Sequence, residues 1–270
     1  MAAQGQAAGK LAPRPARIID TQYKTFNALV YGLPGVGKTL MGATGPGPVL
    51  YVDIDQGLRS ISNLDAKLAT DLGINLPELY AEQARGLVSI MALFRRLETE
   101  FAQDAARYGT IVVDNLTELQ RCLMREHLTR VQQQEGKPVT AARLQDHGVI
   151  LGQMQNIVTA FKSLPTNVLF ICHEAIRDNY IGPALTGSMR EELPGYVDAV
   201  LRYTLISQDN VDQNTGEKTT RVIRFLRTRP MPPSGEEPGI IAKHRGDRLA
   251  EREYPHLAKL IEKINTKETQ

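Results

Sequence analysis

Phe26-Asn27-Ala28-Leu29-Val30-Tyr31-Gly32-Leu33-Pro34-Gly35-Val36-Gly37-Lys38-Thr39-Leu40 runs from an apolar, strand-like segment into a glycine-rich turn and a helix-compatible start. Gly32, Gly37, Lys38 and Thr39 occupy the fixed positions of the pattern G-x-x-x-x-G-K-[ST]. Glycines let the backbone turn tightly, so successive N–H groups converge and hold an anion. A helix starting there adds the positive end of its dipole. With glycine at about 7% of residues, chance produces this pattern in only about 1% of chains this long. The expected ligands are ATP and Mg²⁺, bound by Gly32, Leu33, Pro34, Gly35, Val36, Gly37, Lys38, Thr39 and Leu40. Lys38 is expected on the β- and γ-phosphates and the Thr39 hydroxyl on the metal.

Outward from this loop, apolar periodicity alternates between strand and helix types. Strand-like runs occupy 26–31, 49–52, 110–113 and 168–172, and helical spacing occupies 87–101, 117–132 and 149–164. The helix after the glycine loop is cut short by Thr44-Gly45-Pro46-Gly47-Pro48. Such alternation predicts an α/β fold, with a mostly parallel central sheet and helices on both faces. Residues 133–147 and 174–195 carry glycine, proline and polar residues and read as loops, the second a long one. Two further runs, 199–206 and 219–226, flank Asn214-Thr215-Gly216 and predict antiparallel strands added near the C-terminus. A proline-rich, extended segment is expected over 228–239 and a closing helix over 254–264. The expected organisation is a flexible tail over 1–17, a single domain over 18–265 and a short tail over 266–270.

Two strand tips supply acids. Thr110-Ile111-Val112-Val113-Asp114 is a buried run ending in a carboxylate, which suits Asp114 to hold magnesium water beside Thr39. Val49-Leu50-Tyr51-Val52-Asp53-Ile54-Asp55 ends in two acids on one face, of which Asp55 lies nearer the loop. Asp55 is the candidate general base, a turn-capping acid being the plainer alternative. His173 ends the run Val168-Leu169-Phe170-Ile171-Cys172 and is a candidate sensor of the γ-phosphate.

The net charge of +2 neither demands nor excludes nucleic acid. No apolar run approaches the roughly 18 residues of a membrane span, so no membrane partner is expected. Cys122 and Cys172 lie in apolar-periodic segments without a Cys-x-x-Cys pattern, which predicts buried free thiols and a reducing, cytoplasmic compartment. Arg221, Arg227 and Arg229 share a strand face, with Arg224 opposite. This is either a stripe for a phosphate backbone or a solvated outer face.

Over about 25–254 the chain resembles the RecA-like recombinase core, most closely phage-encoded ATPases of the Sak-type single-strand annealing and recombination group. The resemblance rests on the residues from Gly32 to Thr39, Tyr51-Val52-Asp53-Ile54-Asp55-Gln56-Gly57, the segments 111–115 and 170–174, Glu192-Leu193-Pro194-Gly195 and Ala242-Lys243-His244-Arg245. It implies a RecA-like P-loop NTPase fold and ATP hydrolysis modulated by single-stranded DNA. Asp55 stands where the family usually has glutamate, and His173 where it often has glutamine. The segment beyond His173 would be a mobile DNA-binding loop carrying Arg177 and Arg190. Lys243 and Arg245 would reach the γ-phosphate of a neighbouring copy in a ring or filament. A single-stranded-DNA-binding protein is a further implied partner, and host cytoplasm the implied location. Two other readings stay open: a nucleotide-gated interaction or loader module with little hydrolysis, and a small-molecule P-loop kinase with an arginine-bearing lid.

Overall fold

The computed structural model describes residues 25–136, 141–211 and 218–266. The expected tail over 1–17, the turn at 214–216 and the tail residues 267–270 lie outside the described residues.

The glycine loop is delivered by β1 (Asn27–Gly32), every residue of which is buried. It is followed by the short α1 (Lys38–Ala43) and by β2 (Val49–Asp53). Next come α2 (Arg59–Ser62), α3 (Ala66–Asp71) and β3 (Leu79–Gln83), none of them foreseen from periodicity. The long α4 (Gly86–Gln103), β4 (Thr110–Asp114), α5 (Leu116–Glu135) and α6 (Leu144–Lys162) then lead to β5 (Asn167–Arg177). Strands β1, β2, β3, β4, β5 and β7 (Ala199–Val211) form a parallel block in the order β7-β1-β5-β4-β2-β3. The C-terminal additions are antiparallel: β8 (Lys218–Arg227) pairs with β7, and β11 (Arg252–Glu253) pairs with β8.

Alternation along the strands divides the core in two. Leu29, Tyr31, Val52, Ile111, Val113 and Phe170 face a layer built from α4, α5 and α6. Ala28, Val30, Tyr51, Val112, Leu169 and Ile171 face the other layer, with α1 and the closing helix α8 (Leu257–Asn265). A parallel sheet covered on both faces needs apolar residues at consecutive positions, which is why these strands read as unbroken apolar runs. Among the described residues no helix is long and apolar enough to cross a membrane.

The expected loop over 174–195 is instead ordered structure. β5 continues past His173 to Arg177 and turns at Asp178 and Asn179, both with positive φ (51° and 58°). It returns as β6 (Tyr180–Pro183), and α7 (Met189–Tyr196) follows. Two left-handed residues make the tight turn that matches strand twist, and Asn and Asp tolerate that conformation without glycine. α7 buries Met189 and Leu193 and carries Pro194 in its final turns. Likewise α5 and α6 take up residues 133–135 and 144–147 of the expected connection over 133–147. The segment 228–238 takes part in isolated bridges, Met231 with Ile240 and Ser234 with Glu237. Two short strands complete the sheet, β9 (Gly239–Ile240) beside β6 and β10 (Lys243–His244) beside β7.

Candidate functional site

Strand register decides what meets at the mouth of the glycine loop. Gly32 lies level with His173, and Asp53 with Asp114. The tips of β1, β5, β4 and β2 therefore converge at one edge, the carboxyl ends of the parallel strands, where ligands of such sheets bind.

Gly35 and Gly37 have φ of +77° and +115°, so the turn uses backbone conformations that favour glycine. Tyr203, from β7, buttresses this loop from below. A Cβ at Gly32 would lie 2.6 Å from the Tyr203 carbonyl oxygen, and one at Gly37 would lie 2.9 Å from its hydroxyl. Lys38 is buried, and its Nζ donates to the carbonyls of Gly32 and Leu33 at 2.9 and 2.8 Å. Burial lowers its pKa, opposed by the neighbouring Asp114. A desolvated ammonium held only by carbonyls is poised for an anion.

The Thr39 hydroxyl donates to Asp114 Oδ2 at 2.6 Å. Asp114 is buried at 5% exposure, and that desolvation lifts its pKa to about 6 despite the Thr39 bond. A hydroxyl beside a carboxylate whose charge is costly suits a divalent cation, which would favour the ionised form. Thr39 and Asp114 are thus the residues that would hold Mg²⁺.

Asp55 Oδ2 accepts from Asn115 Nδ2 at 2.5 Å. The same Asn115 caps α5, its Oδ1 accepting from the Glu118 amide. Asp53, by contrast, is buried and bonded to the Gly57 amide at 3.2 Å, and burial raises its pKa. Asp55 is the acid of this pair that faces the cavity. His173 also lines it, anchored by its backbone amide to Thr117 Oγ1 at 3.1 Å. Its Nδ1 is buried without a hydrogen-bond partner among the described residues. Desolvation, then Lys38, lowers its pKa, which favours the neutral ring.

These groups surround a cavity of about 850 Å³ that takes in residues 34–40. Gly32 and Leu33 serve it through their carbonyls on Lys38. The volume falls within the range of small-molecule and cofactor sites.

A protein-family model described as "AAA domain" matches residues 24–232. The chain belongs to the AAA domain family. It is therefore an AAA-type P-loop protein, and the family carries nucleotide binding and ATPase activity in general. No curated protein matches the chain. The mixed sheet of this AAA domain, parallel at its centre and antiparallel toward its C-terminal strands, is the expected fold class.

Other expected residues of the AAA domain lie elsewhere. Arg190, expected to face DNA, is buried at 3% exposure and donates through Nη2 to the Tyr180 carbonyl at 2.6 Å. That burial takes it out of a DNA surface and equally out of a kinase-type lid. Arg177 is exposed at the tip of the β5–β6 hairpin beside Asp178. Lys243 and Arg245 lie near Ala199 and Val200, level with the start of β1 rather than its loop end. Arg245 is engaged with Asp198 Oδ1 at 3.3 Å and the Gly195 carbonyl at 3.2 Å. The arginine stripe is broken up, because Arg227 pairs with Glu251 and Arg229 with Asp247, each at 2.7 Å. Tyr203, Asn115 and Thr117 are site residues that the sequence reading missed. Asn115 had a usable signal, a cap residue between a strand-end acid and a helical run.

Proposed function

We propose that this AAA domain hydrolyses ATP and couples occupancy of its γ-phosphate position to single-stranded DNA, in recombination or strand annealing. One observation carries the coupling. His173 lines the phosphate cavity, and the strand it sits on continues without a break into the β5–β6 hairpin, whose tip exposes Ile176 and Arg177. The strand between them is firmly tied. Glu174 on it pairs with Arg202, Nε to Oε2 at 3.1 Å, and beyond β6 Gln120 holds the Thr186 backbone through both ends of its amide. A shift at His173 thus moves a stiff hairpin rather than folding a loop.

In the reaction, water attacks the γ-phosphorus in line and the bond to the β-phosphate bridging oxygen breaks. Asp55 orients the water and accepts its proton, while Lys38 offsets charge on the phosphate oxygens. Thr39 and Asp114 would hold magnesium, which would supply charge neutralisation at the phosphates. Lys243 and Arg245 would reach the phosphate of a neighbouring copy; their own loop lies about four residues, roughly 13 Å of strand, away.

One feature favours a second reading, a nucleotide-gated interaction module. Asp55 is a short acid in the place where RecA-like proteins usually have glutamate, and its Oδ2 is already bonded to Asn115. Phosphate release at saturating Mg-ATP, with and without single-stranded DNA, separates the two readings. DNA-stimulated turnover supports the first; tight ATP binding with no DNA effect supports the second.

A further inference from the structure

Tyr31 is the last side chain of β1 before Gly32, and it is fully buried. A hydroxyl at such a position is costly unless it is bonded, and phenylalanine would fill nearly the same volume. This phenol is bonded. It donates to the Ile241 carbonyl at 2.6 Å, and the Ile181 carbonyl lies 3.2 Å away as a second acceptor. Burial raises its pKa, which favours the protonated, donating form.

The two acceptors come from different parts of the chain. Ile181 is on β6, the returning strand of the β5–β6 hairpin, and Ile241 stands between β9 and β10, two residues ahead of Lys243. They are also joined to each other, the Ile241 amide donating to the Ile181 carbonyl at 2.9 Å. The junction is tight: a Cβ at Gly182 would lie 2.7 Å from Ile241 Cδ1 and 3.0 Å from Arg190 Nη2. Glu174, Arg202 and Arg190 are all close enough to act on the phenol. A close-packed junction of this kind transmits a displacement instead of absorbing it. On the other side, Tyr31 is one residue from a bond that a nucleotide would disturb. The Gly32 carbonyl accepts from Lys38 Nζ at 2.9 Å, and an arriving phosphate competes with that carbonyl for the ammonium.

We propose that the Tyr31 phenol is a positioning group that ties occupancy of the phosphate loop to the segment 239–245, and so to the placement of Lys243 and Arg245. The inference rests on the nucleotide-binding reading above and deepens it with a second route, which leaves the site through β1 rather than along β5. The segment carries amides that report on it, since Gly239 donates to the Asn179 carbonyl at 2.8 Å and Ile241 to that of Ile181.

The test is amide hydrogen exchange of the full chain with and without saturating Mg-ATP, in the native protein, Tyr31→Phe and Lys38→Ala, beside the ATP Kd of each. In the native protein Mg-ATP is expected to change exchange over both 32–40 and 239–241. Tyr31→Phe keeps the ring and loses only the hydroxyl. It is expected to bind ATP within about twofold of the native Kd, to keep the response over 32–40 and to lose the response over 239–241. A response over 239–241 that persists in Tyr31→Phe overturns the tie and leaves the nucleotide site standing. Loss of both responses in Tyr31→Phe makes the hydroxyl a general support of the loop and overturns the tie as well, as does a native protein that responds over 32–40 alone. Lys38→Ala tests the underlying reading separately: loss of ATP binding and of both responses supports the phosphate site, and their retention overturns it.

Discussion

Replacing Asp114 by asparagine removes the carboxylate that burial penalises most visibly in the site. The native pKa of about 6, against 3.8 for a free side chain, means that ionising Asp114 costs more in the folded protein than in the unfolded chain. At about 1.4 kcal/mol per tenfold, that difference amounts to about 3 kcal/mol. The direction follows from proton counting. Between about pH 4 and pH 6 the folded state holds the proton more tightly, so stability from this group falls as pH rises and levels off above about pH 6. The amide oxygen of the substituted side chain would still accept the Thr39 hydroxyl, but Lys38 would lose its nearest counter-charge, which offsets part of the gain. In metal-free, nucleotide-free buffer, Asp114→Asn is therefore expected to be about 1–3 kcal/mol more stable than the native chain at pH 7.5 and nearly equal at pH 4. Urea denaturation at several pH values reads this directly. With Mg-ATP the order reverses, because only the native chain gains the full ligand stabilisation. A variant less stable than the native chain at pH 7.5, with the same pH slope, would refute the account of Asp114 as a carboxylate whose charge burial penalises.

Three further outcomes are expected. Asp55→Asn lowers the single-turnover rate of ATP cleavage by about 100-fold while leaving the ATP Kd within about twofold; parallel loss of binding would contradict its role as base. Gly32→Ala puts a Cβ 2.6 Å from a backbone oxygen that cannot swing aside, so the loop must shift. Equilibrium binding should show ATP affinity falling by at least about tenfold, whereas a native Kd would mean the loop does not depend on that close approach. His173→Ala keeps ATP binding but loses DNA stimulation of phosphate release, and unchanged stimulation would remove His173 from the coupling path.

What was legible in the sequence follows from how each part is buried. β1, β2 and β4 are buried along their length, so their apolar runs are unbroken, and the loop glycines stand at fixed spacing. β3 is a half-exposed edge strand of mixed polarity, and α2 and α3 are only four and six residues long, too short to display a helical stripe. The hairpin after His173 was hidden because Asp178-Asn179 turns without glycine, and α7 because Pro194 argues against a helix. Arg190 read as a surface charge because sequence cannot show that its guanidinium is folded under onto the Tyr180 carbonyl. Tyr203 reaches the loop from β7, far along the sequence, so no local spacing connects it to the glycines. Lys38, Thr39, Asp55, Asp114 and His173, by contrast, sit in the loop or at strand ends, and parallel register brings strand ends together.

The most direct test of the central claim is phosphate release at saturating Mg-ATP by the full chain and by Lys38→Ala, each with and without single-stranded DNA. The predicted result is turnover that single-stranded DNA raises and that Lys38→Ala abolishes under both conditions. Turnover indifferent to DNA would contradict the coupling, and turnover surviving in Lys38→Ala would contradict the site itself.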